Sequence, residues 1–419
     1  MSTGPELRLR YSSNLQSTRP LICVRPRVAD PSGLPLACGP SDGTTSPWAF
    51  PRASNPAGQE SATHVGVGPG HEHEPGATRS TSVDPPFRVL ACQRAPSLSQ
   101  YGFRPGRSPH DALDALAVGI KKKVSWVLDL DFRDYFSRLD HRWLERFVEH
   151  RIADKRVLRL IQKWLAAGVV EDGSWTAFDE GVPQGASVSP LLANVYAHYV
   201  FDLWAHQWRR RHARGQVVIV RFADDAVVGF EYREDAERFH ADLRRRLAKF
   251  NLELAAEKTR LIEFGRFAAR DRQARGLGKP ETFRFLGFTH ICGKARSGRF
   301  QLKRITDSKR IPAKLAVLKG KIERRQHLPI DEQGRWLASA LQGHYQYYAV
   351  PDNIAALHAF REQAVRYWFV ALRRRSQRTT VTWERMSRLV ERWLPQPRIL
   401  HPWPERRFYV RTQGRSPVR

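Results

Sequence analysis

The segment VVIVRFADDAVVGF, residues 217–230, limits the fold more than any other stretch of the chain. Val217 to Phe222 and Ala226 to Phe230 are rich in strand-forming residues, and acids between such runs favour a turn. A tight hairpin is predicted, with strands apolar enough to lie inside a sheet and with Asp224 and Asp225 at its tip. Taken alone, the two acids simply solvate that tip.

A second segment bears on them. In WVLDLDF, residues 126–132, alternation puts Trp126, Leu128, Leu130 and Phe132 on one face, and Asp129 and Asp131 on the other with Val127. An edge strand with a wet face explains these acids equally well. Asp131 and Asp224 are 93 residues apart, so only tertiary folding can gather the acids. Carboxylates within about 4–6 Å raise one another's pKa unless a cation neutralises them, and magnesium is the hard cation that carboxylates share with phosphate oxygens. Two such ions roughly 3.5–4 Å apart activate a 3′-hydroxyl and stabilise the leaving pyrophosphate oxygen, which is nucleotidyl transfer.

Charge points the same way. Seventy Lys and Arg against 42 Asp and Glu leave a net +28, far beyond the needs of solubility, so a polyanion, above all nucleic acid, is the expected partner. No apolar run approaches the roughly 18 residues of a spanning helix, and the first twenty residues lack the apolar centre of a secretion signal. No membrane partner and a cytoplasmic location are expected. Cys23, Cys38, Cys92 and Cys292 form no CxxC pair, so neither a disulfide framework nor a zinc ribbon is indicated.

Residues 1–98 are dominated by Pro, Gly, Ser and Thr without a helical or strand period, and predict a disordered, unrelated or frame-shifted extension. The His-Glu-His tract at His71–His73 reads as solvated coil rather than a metal site. From Tyr101 the texture changes. Ser108 and Pro109 make an N-cap and first helical residue for a helix to about Ile120, a helical stretch covers 141–167, and Ser189 and Pro190 start another helix that runs to about Trp208. Phe239, Leu243, Leu247 and Phe250 share a helix face, and FRFLGFTH, residues 283–290, reads as a strand. Beyond Ser308 the pattern is helical and basic, with Asp352 or Asn353 capping a helix whose face carries Ile354, Leu357, Ala364, Trp368 and Leu372.

In order, YGFRPGRS, WVLDLDFRDYFSRLDH, GVPQGASVSPLLANVY, RFADDAVVGF, NLELAAEKTRLIEFG, FRFLGF and ALQGHYQYYAVPDN resemble the successive blocks of a bacterial group II intron reverse transcriptase with its maturase domain. The resemblance runs from about residue 99 to the C-terminus. It implies an α+β right hand, with a central antiparallel palm sheet packed by helices and partial fingers over 99–305. An all-helical thumb and maturase domain with a basic tail follows over 306–419. The implied activity is RNA-directed DNA polymerisation, joined to intron RNA binding that assists splicing and mobility. The alternative is a non-catalytic RNA-binding maturase or degenerate remnant, because the family's first fingers block has no counterpart in residues 1–98 and no endonuclease domain follows.

Residue by residue, the resemblance makes Asp131, Asp224 and Asp225 the catalytic ligands of two Mg2+ ions, with Mn2+ as a substitute, and makes Asp129 a neighbour that binds no metal. Phe136 would lie under the incoming sugar and exclude a 2′-hydroxyl, while Gln184, Arg104 and Lys258 would meet nucleotide or template. Phe285, Leu286 and Gly287 would grip the primer terminus, and Arg373, Arg374 and Arg375 would contact RNA. The implied partners are intron RNA and RNA template, DNA primer or target, and deoxynucleoside triphosphates. Each residue has a plainer use: Phe136 as core packing, Gln184 as a loop cap, Lys258 as a surface charge, and Tyr345, Tyr347 and Tyr348 as core of the C-terminal bundle. Phe222 stands where the family usually has tyrosine.

Overall fold

The computed structural model describes residues 100–166, 169–171, 174–176, 180–182, 188–375 and 381–412. The segment expected to be an extension, its His-Glu-His tract and Gln184 lie outside these residues. Helix α1 (Pro109–Lys121) begins as its sequence predicts: the Ser108 hydroxyl accepts from the Asp111 amide, and the Asp111 carboxylate accepts from the Ser108 amide at 2.7 Å.

Among the described residues six strands follow before residue 264. Those of the main sheet are β1 (Trp126–Leu130), β4 (Val217–Phe222), β5 (Asp225–Phe230) and β6 (Arg260–Glu263), while β2 (Val169–Glu171) and β3 (Ser174–Thr176) form a small separate hairpin. The main sheet is antiparallel throughout, in the order β4-β5-β1-β6. β1 is therefore an inner strand, and its acids do not mark an edge. The predicted alternation holds. Leu128, Leu130, Ile219, Val228 and Phe230 pack into one core, and Val127, Val218, Val220, Val227 and Ile262 into another on the opposite face.

The first core is closed by α2 (His141–Glu149), α3 (Lys155–Ala166), α4 (Ser189–Ala197), α5 (Leu203–Arg211) and α6 (Arg233–Ala248), with Phe239, Leu243 and Leu247 of α6 fully buried. Two predicted helices differ in detail. The stretch over 141–167 is broken at 150–154, where Asp154 turns its carboxylate to the Arg156 amide at 2.8 Å and starts a new helix. The helix at 189 takes Val188 as its N-cap, with Ser189 already helical and buried, and it joins α5 through a π-helical turn at His198–Asp202. That turn shifts the helical phase, and Asp202 ends up buried.

The second core receives α1 and continues into the C-terminal half. After the short α7 (Ala268–Ala274) comes a three-stranded sheet of β7 (Phe283–Phe285), β8 (Phe288–Lys294) and β9 (Phe300–Thr306). The single strand expected at 283–290 is a hairpin, because Leu286 and Gly287 adopt φ of 49° and 78° and make a two-residue turn. Five helices complete the described chain: α8 (Arg310–Arg324), α9 (Ile330–Tyr348), α10 (Ile354–Arg374), α11 (Trp383–Trp393) and α12 (Pro404–Thr412). Leu357, Ala364, Trp368 and Leu372 are buried as spacing predicts, whereas Ile354, in the first turn, is exposed. Asn353 occupies the N-cap position of α10 without capping it. Its amide group donates to Tyr348 O and Thr306 Oγ1, and its oxygen accepts from the Thr306 amide, which ties the α9–α10 corner to β9.

Candidate active site

The hairpin ladder closes at Phe222 opposite Asp225, so Ala223 and Asp224 alone form the turn. Ala223 has φ 57°, as such tight hairpin turns require at their first central position. Asp224 is thus at the tip, and Asp225 is the first residue of β5. The last pair between β1 and β5 is Leu130 with Ala226. One step outward in the same register brings Asp131 abreast of Asp225, on the face already carrying Asp129. The acids of the two strands are therefore gathered at one end of the sheet.

Their electrostatics agree. Desolvation raises Asp224 above the usual carboxylate range, with the charge of Asp131 adding to it. Asp225 opens to solvent on one side, yet crowding by surrounding protein pushes it up to about 7; Asp224, Asp131 and Asp129 add to the rise, and Arg310 opposes it. Asp129 is pushed up to about 6 by desolvation, against the pull of Arg260, its partner across the β1–β6 ladder at 3.8 Å. Lys258 Nζ stands 3.5 Å from Asp131 Oδ1. Among the described residues no three His, Cys, Asp or Glu side chains yet close around a single point that could hold an ion. The donor set nevertheless fits a hard divalent cation, since hard carboxylate oxygens that repel one another are what such a cation relieves.

The turn is braced from behind. Arg221, buried, donates to Asp202 through Nε and Nη2 at 2.7 and 2.6 Å, and to Ala223 O at 2.6 Å and Asn194 Oδ1 at 3.0 Å through Nη1. Gly102 lies against the turn so closely that a Cβ there would meet Ala223 N at 2.4 Å. None of Arg221, Asp202 and Asn194 was expected from sequence. The apolar setting of Arg221 inside a strand was the one signal, because a charge at an inward position needs a buried partner.

Other candidates fall into two groups. Phe136 lies in a 3-10 turn (Tyr135–Arg138), half buried against Tyr135, and Val182 and Gly181 dock on that turn through Val182 N to Phe136 O and Gly181 N to Leu139 O, both 2.8 Å. Gly181, at φ 85°, has no room for a side chain against Phe136 O and Ser137. Arg104 sits in the turn ahead of α1, whose Phe103 ring is 6.4 Å from that of Phe222. Leu286 and Gly287 are held by Tyr347, whose hydroxyl donates to Leu286 O at 2.9 Å, and by Asp307, whose amide donates to Gly287 O at 3.0 Å. Arg310 Nη1 and Tyr348 Oη lie beside Gly287, so this turn and Asp225 share a cation. Tyr347 and Tyr348 therefore serve the β7–β8 turn as well as the helical core. Arg373, Arg374 and Arg375 stand apart at the end of α10, with Arg375 bonded to His327 O at 3.3 Å and Arg373 over the Phe369 ring at 5.7 Å.

An antiparallel sheet that gathers acids at a hairpin tip is the arrangement expected of a polymerase palm. Residues 88–290 match the family described as reverse transcriptase (RNA-dependent DNA polymerase), and shorter stretches are similar to group II intron-encoded proteins. It is 38% identical over 111 residues to Protein YkfC of Escherichia coli, covering 26% of this chain and 29% of that protein. It is also 38% identical over 101 residues to the group II intron-encoded protein LtrA of Lactococcus lactis, covering 23% and 16%. In both cases the matched stretch is under a third of the relative's length. A solved telomerase from Candida albicans with a fragment of telomeric RNA aligns over 73% of this chain and 52% of its own at 12% identity and a TM-score of 0.39, too slight a likeness to bear on the fold. Among the described residues no helix is long and apolar enough to cross a membrane.

Proposed function

We propose that this chain is an RNA-directed DNA polymerase of a group II intron, which copies an RNA template from a DNA primer and binds intron RNA to assist splicing and mobility. The observation that carries the polymerase reading is the gathering of Asp131, Asp224 and Asp225 at one end of the sheet, each strand contributing from its own register. The three carboxylates would hold divalent cations, Mg2+ or Mn2+. When bound, these ions supply Lewis-acid activation of the primer hydroxyl and charge neutralisation at the leaving pyrophosphate.

The remaining work falls to the chain itself. Phe136, held in its 3-10 turn, would exclude a ribose 2′-hydroxyl by contact with its ring, and Gln184 would meet the same nucleotide. Arg104 and Lys258 offer cationic groups to the triphosphate, Lys258 leaving Asp131 as it does so. The Phe285–Gly287 turn, steadied by Tyr347 and Arg310, supports the primer end. Catalysis of this kind is positioning and electrostatics without a covalent enzyme intermediate. Intron RNA binding rests on the net charge of +28 and on Arg373, Arg374 and Arg375, with residues 306–419 as the thumb and maturase domain.

Primer extension on an RNA template with Mg2+ tests the reading. The wild-type chain is expected to extend the primer with deoxynucleotides and Asp224→Ala to leave it unextended. Equal yields from the two would refute the polymerase. Steeply salt-dependent intron RNA binding without extension would favour the non-catalytic maturase.

A further inference from the structure

We infer that Asn194 and Arg221 are positioning residues that latch the Gln100–Gly102 segment onto the Ala223–Asp224 turn, so that the loop at 103–106 and the Asp224 carboxylate move as one body. The inference rests on the polymerase reading and adds a coupling to it.

Asn194 is the hub. Its Oδ1 accepts from Gln100 Nε2 and from Arg221 Nη1, both at 3.0 Å, and its Nδ2 donates to Gly102 O at 3.0 Å. One side chain of α4 therefore binds the segment before the loop and the arginine behind the turn. Arg221 completes the link, because the same Nη1 that reaches Asn194 also donates to Ala223 O. Backbone contacts run in parallel: the Tyr101 amide donates to Arg221 O at 2.8 Å, and Gly102 touches Ala223 without an intervening side chain. Arg107, on the far side of the loop, donates to Gln100 O at 2.8 Å and closes the loop upon the latch.

Stability alone does not account for this arrangement. A buried arginine and aspartate are expensive to desolvate, and apolar residues of the same volume commonly serve a core as well or better. Apolar residues cannot hold a turn carbonyl at a fixed point, and Ala223 is the residue whose left-handed φ aims Asp224. A ligand that orders the loop around Arg104 would pull on Gln100–Gly102 and so set the carboxylate. The latch would make correct nucleotide placement a condition for correct acid placement.

The test uses the full chain and compares Asn194→Ala with Phe239→Leu, a core change in α6 remote from the turn. Single-nucleotide incorporation, its Mg2+ dependence, primer–template Kd, Tm and hydrogen exchange of the 222–225 amides are measured for both. Asn194→Ala is expected to lower kcat about tenfold to a hundredfold, the scale of a small misplacement. It should also raise the half-saturating Mg2+ and speed exchange at 222–225, with Kd unchanged, while Phe239→Leu loses Tm without these effects. The inference is overturned if kcat and Mg2+ dependence are untouched in Asn194→Ala, or if both variants lose activity in proportion to Tm. If the wild-type chain does not polymerise, the polymerase reading fails separately. Exchange at 222–225 then decides the latch: faster in Asn194→Ala than in Phe239→Leu upholds it, and equal rates sink it.

Discussion

Arg221 and Asp202 meet through two hydrogen bonds, Nε to Oδ1 at 2.7 Å and Nη2 to Oδ2 at 2.6 Å, with both side chains almost wholly buried behind the acidic turn. Removing one partner strands the other charge in the core. Asp202→Ala is expected to lower the unfolding free energy by about 3–5 kcal/mol. The paired change Asp202→Leu with Arg221→Met should cost less than either single change, since it leaves neither charge of the pair alone in the core. Urea unfolding midpoints with unchanged slopes check both statements.

Two buried histidines give the fold a pH dependence of definite sign. His290 stacks on Phe283 at 4.7 Å and His344 on Phe360 at 3.8 Å, and burial pushes each ring down to about 3. An unfolded histidine takes its proton near pH 6.5, so acidification protonates the unfolded chain first. Stability is therefore full above about pH 6.5 and is lost progressively as pH falls toward 3. Each histidine should cost about 2 kcal/mol at pH 5 relative to pH 8. His290→Phe should flatten the profile by about that amount in urea titrations at the two pH values; an unaltered profile would contradict it.

Phe136 offers a test of the nucleotide pocket. Its ring packs against that of Tyr135, and the Val182 amide pins its backbone carbonyl. Phe136→Ala should admit ribonucleotides, lowering the ratio of kcat/KM for deoxynucleotide over ribonucleotide by about tenfold or more. A variant that loses activity equally toward both would show that Phe136 only packs the core.

Much of this was legible in the sequence where the signal is local. The FADD hairpin, the alternating faces of 126–132 and the Ser108 cap each depend on residues within a few positions of one another. The inward setting of Asp202 was not legible, because a π-helical turn changes the helical phase and no periodicity announces it. Nor was the cation shared by Asp225 and Gly287, since Arg310 arrives from the first helix after β9. Asn353 carried a good capping signal, but bonds to Thr306 took its side chain. The strand expected at 283–290 became a hairpin because Leu286 accepts a left-handed conformation that leucine rarely adopts.

The central claim is that Asp131 and the Asp224–Asp225 pair share a divalent cation. It is tested most directly by replacing Mg2+ with Fe2+ in the full chain and mapping oxidative backbone cleavage around the bound ion. Cleavage is predicted near residue 131 and near 224–225 together, and excess Mg2+ or the Asp131→Asn, Asp224→Asn double change should suppress both. Cleavage at one site alone, or at both sites undiminished in the double variant, would contradict a shared metal and the catalytic role built on it.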